Sequence, residues 1–446
     1  IVTYAGALFM EKREGGIRKL CFVLPFAVAL GLLLVFKYFN FAGQVLADTL
    51  GIFGIGFTPA VLKIAAPIGI SFYTFKVISY MLEVYKGKLA PQRNFAKYAV
   101  YVGFFPQIAS GPIERPAHFF EKLDRLGASD EGKTAFFRFN GFSYEKALNA
   151  LRLMGVGFFK KMIVADLLSG YVTKVFSDVY SYDGFALMAA AFLFSIQIYC
   201  DFAGYSDIAN GAAQLLGFDG ARNFEYPYFS ASVKEFWRRW HMTLGRFFTR
   251  YVYIPLGGNR RGKMRTLCNV MIVMLLSGLW HGAAWTFVLW GFLHGVGMIW
   301  DNLEHPHLPK KWMRQAATFA YVCMTFVFFR AESIAQGVDV LKSIVSLKWN
   351  GFVFQMASAL DLTEFYMITK ALSMKLPGLL SWFWLGIFVV LIAICFRVLS
   401  GEKVSGVVAL QRQKGYGRLY PVLLAVLFTW SMISMTGVSE YLYFSF

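Results

Sequence analysis

The sequence predicts an all-α, polytopic membrane protein, and three observations carry that expectation. Of its 446 residues, 57% are hydrophobic and only 16% are charged, whereas soluble domains carry about 25% charged residues. The apolar residues recur as runs of about 20, the length a helix needs to cross a hydrocarbon layer of about 30 Å. One stretch, residues 266–300, holds no Asp, Glu, Lys or Arg across 35 positions. A backbone in lipid must satisfy its own hydrogen bonds, so runs of this length are expected to be helices. A soluble chain of this size would divide into about three domains. Here the hydropathy is spread along the chain, which favours one membrane-embedded body over residues 1–446.

Taken in order, residues 20–40, 66–85, 95–112, 187–217, 267–300, 313–331, 378–398 and 419–438 are predicted spans. Weaker runs lie at 1–10, 49–62, 147–172 and 360–375. Together they amount to roughly nine to twelve crossings. The chain begins at Ile1 inside an apolar stretch, without an initiator Met or a signal-peptide pattern, so further residues are expected upstream. The five cysteines (Cys21, Cys200, Cys268, Cys323 and Cys395) stand singly and supply no CxxC pair, disulfide framework or zinc spacing. HExxH and GxSxG are both absent, so neither a metal centre nor a serine-hydrolase elbow is expected.

The formal charge of +18 would suggest nucleic acid in a soluble protein. Between apolar spans it reads instead as cytoplasmic loops facing anionic lipid. The sharpest signal is 234–265, with nine basic residues against the single acid Glu235. The interleaved Trp237, Trp240, Phe247, Phe248, Tyr251 and Tyr253 fit an interfacial or re-entrant segment at headgroup depth. Such a segment serves as a topology signal, as a docking site for an anionic ligand such as coenzyme phosphates, or as both.

As a single helix, residues 266–300 would run about 52 Å at 1.5 Å per residue, far more than the bilayer core. The segment should therefore break, and Gly278 and Gly282, flanking Leu279-Trp280-His281, offer the place. Irregular backbone at membrane depth is tolerated where it packs in protein or lines a wet cavity, so His281 sits where a cavity is expected. Of the other histidines, His118, His305 and His307 read as loop residues, and His294 shares the uncharged segment. Ionisable side chains inside a span are functional candidates by default. A neutral imidazole at His281 would offer a nitrogen to accept a proton, while the structural alternative for either histidine is a core imidazole bonded to its neighbours. Thirteen residues separate His281 from His294, about 220° around an ideal helix. They cannot share a face unless the backbone breaks between them.

A second polar group interrupts the apolar run 185–218. Gln197, Asp201 and Tyr205 recur every four residues and so line one helix face. A buried carboxylate needs a partner, which the basic segment or a histidine is expected to supply. Glu83, beside Tyr80 and Tyr85, reads as a helix-end residue near the interface.

The motifs Phe236-Trp237-Arg238-Arg239-Trp240-His241-Met242-Thr243-Leu244, Tyr253-Ile254-Pro255-Leu256-Gly257-Gly258-Asn259-Arg260, Leu279-Trp280-His281-Gly282-Ala283-Ala284-Trp285 and Gly291-Phe292-Leu293-His294-Gly295 together resemble the membrane-bound O-acyltransferase family. The resemblance is to the bacterial branch typified by the membrane subunit of alginate O-acetylation. Pro67-Ile68-Gly69-Ile70-Ser71-Phe72, Phe104-Phe105-Pro106-Gln107, Phe159-Lys160-Lys161 and the 197–207 run agree with it, in the same order along nearly the whole chain.

The resemblance implies a ring of tilted helices around a central funnel or tunnel. An acyl group would pass from a cytoplasmic thioester, in this branch acetyl-CoA, to an extracytoplasmic acetyltransferase partner that modifies a cell-envelope polysaccharide at the bacterial inner membrane. It makes His281 the family's catalytic histidine and His241 its upstream polar partner. Arg238, Arg239, Trp240 and Asn259 are the expected donor-binding residues. Trp280, Trp285, His294, Gln197, Asp201 and Tyr205 are candidate tunnel residues, with Trp280, Trp285 and Asn269 also candidates for polarising the carbonyl. Elementary chemistry agrees, since acyl transfer needs a base for the incoming hydroxyl, or a transient acyl carrier, in a channel closed to water. The alternatives are D-alanyl transfer to teichoic acid-type acceptors and a non-enzymatic conduit for lipid-linked sugar, with Asp201 and Asp207 lining the path.

Overall fold

The computed structural model describes residues 1–64, 66–127, 144–303 and 308–346, together with 425–426 and 428–429. Among the described residues all regular structure is helical. The helices are α1 (Val2–Glu11), α2 (Gly15–Ile52), α3 (Ile70–Tyr85), α4 (Phe95–Gly103), α5 (Phe105–Ile108), α6 (Pro116–Gly127), α7 (Tyr144–Phe158), α8 (Asp166–Ser177) and α9 (Gly184–Leu215). They continue with α10 (Val233–Arg239), α11 (Met242–Phe248), α12 (Lys263–His281), α13 (Trp285–Trp300), α14 (Lys311–Arg330) and α15 (Ile334–Val345). Wider π turns join α7 to α8 (Phe159–Ala165) and extend α11 (Thr249–Tyr253).

Helices α2, α9 and α12 have the length and apolarity to cross a membrane, and α13 is a shorter apolar helix. The predicted spans at 360–375, 378–398 and 419–438 lie outside the described residues, apart from four positions of the last, as do Cys395, His305 and His307.

Several predicted spans are reshaped by proline and glycine. The run at 49–62 is not a separate crossing: α2 continues to Ile52, Gly54 takes a φ of +72°, and the described residues from there to Gly69 are non-helical. Gly51, Gly54, Gly56 and Pro59 fall within that run, and helix propensity is lowest at these two residue types. The loop is tied back by Asn40, whose side chain accepts from Leu62 N at 2.8 Å and donates to Leu62 O at 3.1 Å. The 95–112 run divides into α4 and α5, because Pro106 has no N–H to give and its ring would collide with the carbonyl one turn earlier. Conversely, 147–172 is continuous helix through the π turn. His118, expected in a loop, lies in the first turn of α6 with its Nδ1 3.0 Å from Glu114 Oε1. Pro116, which had suggested a loop, is the first residue of that helix, where proline is well tolerated.

In lipid, helices associate through close packing and hydrogen bonds more than through expulsion of water. Small residues allow the backbones to approach: a Cβ on Gly157 of α7 would lie 2.7 Å from Gly204 O of α9, and one on Gly204 2.7 Å from Gly157 O. The acids of α9 are then neutralised from the adjoining π turn. Lys160 Nζ lies 2.7 Å from Asp207 Oδ2, and Lys161 pairs with Asp201. The partner of Asp201 is thus neither the basic 234–265 segment nor a histidine. It comes from the helix already packed alongside. Glu83 lies in the last turn of α3, the helix-end place expected of it. It is 2% exposed, accepts from Tyr251 Oη at 2.7 Å and pairs with Arg250 at 2.9 Å, so it anchors the basic segment to α3.

The main core joins α8, α9, α10, α13 and α14 through Phe194, Trp240, Trp290, Phe326 and Phe329. A smaller aromatic cluster of Phe72, Phe75, Phe247, Phe248 and Trp280 ties α3 and α11 to the end of α12.

Candidate active site

The break expected in the uncharged run lies between His281, the last residue of α12, and Trp285, the first of α13. Gly282 and Ala284 are extended, and the two helices fold back on one another as an antiparallel hairpin. Gly278 and Gly291 make that approach possible, since a Cβ on Gly278 would fall 2.3 Å from Phe287 O and one on Gly291 2.5 Å from Met274 O. Folding back replaces the 220° separation on one helix with a shared neighbour. The Trp290 ring lies 5.1 Å from His281 and 4.7 Å from His294, measured between ring centres.

His281 is 7% exposed and is enclosed by aromatic rings. Trp280 and Trp290 each lie at 5.1 Å and Phe329 at 5.3 Å. The imidazole of His241 stands 6.4 Å away, so the two expected catalytic histidines are brought together although 40 positions separate them in sequence.

His241 sits between α10 and α11 in the left-handed region, with φ 42° and ψ 52°. For a residue with a Cβ this conformation costs about 1–3 kcal/mol, and such strain clusters at functional sites. It is held by Asn223, whose Oδ1 accepts from Thr243 N at 3.2 Å and Thr243 Oγ1 at 2.9 Å. That oxygen also lies 3.2 Å from His241 Nδ1. An amide oxygen already receiving a backbone N–H can only accept, so His241 Nδ1 carries the hydrogen and donates it. In the neutral ring Nε2 then bears the lone pair, and among the described residues it is buried without a hydrogen-bond partner.

The two nitrogens of His294 are both occupied. Trp237 Nε1 donates to Nδ1 at 3.2 Å, which leaves Nε2–H to donate to Thr325 Oγ1 at 3.0 Å. Thr325 in turn donates to Val322 O at 2.8 Å. His294 therefore links α10 to α14 and offers no spare lone pair.

The remaining candidates are more dispersed. Trp280 is 3% exposed, stacked 5.4 Å from Phe75 and 5.8 Å from the His241 ring. Trp285 is 52% exposed, with its edge toward Phe41. Gln197 and Asp201 are buried on α9, where Asp201 meets Lys161. Tyr205 hydrogen-bonds Ser110. Asn269 donates to Gly258 O at 2.9 Å and fastens the 255–259 turn to α12. It lies twelve residues before His281, about 18 Å along the helix, too far to act on a carbonyl there.

Within the basic segment, Arg238 and Asn259 are exposed, and Arg239 pairs with Glu235 at 2.5 Å. Trp240 is buried, stacked on Phe236 and close to Phe326. Arg260, Arg261, Lys263 and Arg265 form an exposed basic group where α12 begins. From there α12 rises about 27 Å to His281, close to the thickness of a hydrocarbon core.

Residues 53–336, which include His241, His281 and His294, match the family model for the membrane-bound O-acyltransferase family. The chain belongs to this family. The match confirms the resemblance read from the motifs. A Pseudomonas putida protein named probable alginate O-acetylase AlgI is 36% identical over 70% of this chain and 62% of its own length. The peptidoglycan O-acetyltransferase of Helicobacter pylori is 31% identical over 64% of this chain and 58% of its own length. The teichoic acid D-alanyltransferase of Bacillus subtilis is 26% identical over 59% of this chain and 69% of its own length. The chain thus spans less than two thirds of the length of the two O-acetylating relatives.

Asn223 and Trp290 were not singled out in the sequence. Asn223 lies in a polar loop and belongs to no chemical motif. Trp290 is one aromatic among many in an apolar helix.

Proposed function

We propose that this chain is a membrane O-acyltransferase that moves an acetyl group from a cytoplasmic thioester toward hydroxyls of a cell-envelope polysaccharide. The observation that carries this reading is the meeting of His241 and His281 inside an aromatic shell at a helix break. His241 presents an uncommitted Nε2 there. The hydroxyl oxygen attacks the thioester carbonyl, a C–O bond forms and the C–S bond breaks. The hydroxyl proton passes to an imidazole nitrogen and from there to the departing thiolate. Rings on several sides of His281 keep out the water that would otherwise hydrolyse the acyl group.

The basic group at the start of α12, with Arg238 and Arg239, faces the cytoplasm by the positive-inside rule and attracts the phosphates of acetyl-CoA. The donor's thioester arm then follows α12 inward through a tunnel between the helices. An extracytoplasmic acetyltransferase partner receives the acetyl group on the far side of the bacterial inner membrane. Acetyl is favoured over D-alanyl because the O-acetylating relatives are 31–36% identical and the D-alanyl relative 26%. A conduit for lipid-linked sugar is disfavoured because Asp201 and Asp207, the carboxylates that would line its path, are paired with Lys161 and Lys160.

The test is turnover by the purified protein in liposomes supplied with a hydroxyl acceptor and radiolabelled acetyl-CoA or, in parallel, a D-alanyl thioester. Release of free coenzyme A thiol that His281→Ala abolishes supports the reading. Use of the D-alanyl donor alone would move the chain to the other branch. No thioester turnover by the wild type would refute the enzyme.

A further inference from the structure

We propose that Lys37, on α2, is a positioning residue that completes the helix end carrying His281. The inference rests on the reading of His281 as the reacting imidazole. A helix leaves its last four carbonyls without partners inside itself, and α12 ends at His281, where stray water is least welcome. Of those four carbonyls, Gly278 O receives Gly282 N at 3.4 Å. The other three are met by two neighbouring side chains of α2. Tyr38 Oη donates to Leu279 O at 2.7 Å, and Lys37 Nζ donates to Trp280 O at 2.6 Å and to His281 O at 3.0 Å.

The cost of placing a charge there indicates purpose. Between Lys19 and Asp48, Lys37 is the only charged residue of a long apolar run, and a cation inside such a run is expensive and functional by default. Its charge is used twice. The ammonium meets the partial negative charge at the C-terminal end of α12, and it lies 5.9 Å from the centre of the Trp280 ring. The cap therefore fixes the backbone of Trp280 and His281 at the point where the helix turns back. Lys37 supplies the capping cation at the backbone of the helix end. Helix α2 lies ahead of the residues that match the family model, so a segment outside that match finishes the site. Lys37 hydrogen-bonds the backbone carbonyl of His281. Its effect should fall on the chemical step, because misplacing a reacting group by about 1 Å can cost about 10²-fold in rate.

The experiment compares Lys37→Met, Lys37→Arg and Tyr38→Phe in the full chain, using acetyl-CoA as donor. Lys37→Met should lower kcat by about 10²-fold with KM for acetyl-CoA unchanged, Lys37→Arg should restore most of it, and Tyr38→Phe should fall between. Wild-type kcat in Lys37→Met overturns the proposal. So does a loss expressed in KM, which would make Lys37 a donor contact. If Lys37→Met does not insert, Lys37→Gln is judged by the same criteria. A readout independent of turnover is the rate at which an imidazole-directed reagent modifies His281, followed by mass spectrometry. It should rise several-fold in Lys37→Met and stay at the wild-type rate in Lys37→Arg, and an unchanged rate in both overturns the proposal. A wild type that does not consume acetyl-CoA would defeat the proposed function, while the modification rates would still judge the cap.

Discussion

Asn223 Oδ1 accepts the Nδ1 hydrogen of His241 and thereby decides which nitrogen of that ring faces the site with a lone pair. The same oxygen holds the first turn of α11 through Thr243. One amide therefore sets both the left-handed backbone of His241 and its tautomer.

Replacing Asn223 with Ala should cost about 1–3 kcal/mol of stability, because buried donors at His241 and Thr243 lose their acceptor. It should also reduce turnover, since the imidazole becomes free to choose the other tautomer. Asn223→Asp keeps an acceptor at that place and should retain more activity than Asn223→Ala. Steady-state kinetics and thermal unfolding of the two variants check this together, and equal kinetics in both would remove the tautomer argument.

His281→Ala and His241→Ala should each lower acyl transfer by about 10²–10⁴-fold, the range for loss of a general acid–base group. Both proteins should still insert and fold, because neither change leaves a buried charge. The measurement is thiol release per folded molecule, with folding judged by gel filtration and tryptophan fluorescence.

His294 should behave differently. Its two nitrogens bond Trp237 and Thr325, so His294→Phe leaves an indole N–H without its acceptor and should destabilise the protein by about 1–3 kcal/mol. Turnover per folded molecule should fall far less than in His281→Ala. A loss as deep as that of His281→Ala, with unchanged unfolding, would instead make His294 a participant in the chemistry.

Asp201→Ala leaves Lys161 to its longer contact with Asp166, 3.8 Å away, and should destabilise by about 1–3 kcal/mol. The double variant with Lys161→Ala should be less destabilised than the sum of the two single variants, because the ion pair between them can be lost only once. Unfolding midpoints of the two single variants and the double variant give the coupling directly. An Asp201→Ala protein of normal stability that no longer moves substrate would revive the conduit.

Gly278→Ala places a methyl group 2.3 Å from Phe287 O, which the α12–α13 hairpin can accept only by opening. Activity should fall with stability, and Gly291→Ala, meeting Met274 O at 2.5 Å, should do the same. A Gly278→Ala enzyme of full activity would show that the hairpin's closeness is not needed at His281.

Composition and spacing alone determined that this is a helical membrane protein, that the uncharged run must break near Gly278 and Gly282, and that His281 stands at the break. These follow from local rules: the length of a hydrocarbon core, the rise of a helix, and the cost of charge in lipid. The motif order also carried the family. Lys37 was legible by the same rule that marked His281, as a lone cation in an apolar run, but what it caps was not. The tertiary structure decided which groups meet. It paired Asp201 with Lys161, occupied both nitrogens of His294, buried Trp240 while leaving Arg238 and Asn259 exposed, and carried a side chain of α2 to carbonyls more than 240 residues away. Such pairings depend on how helices rotate and approach one another, and that is set by packing between distant segments, which no local pattern encodes.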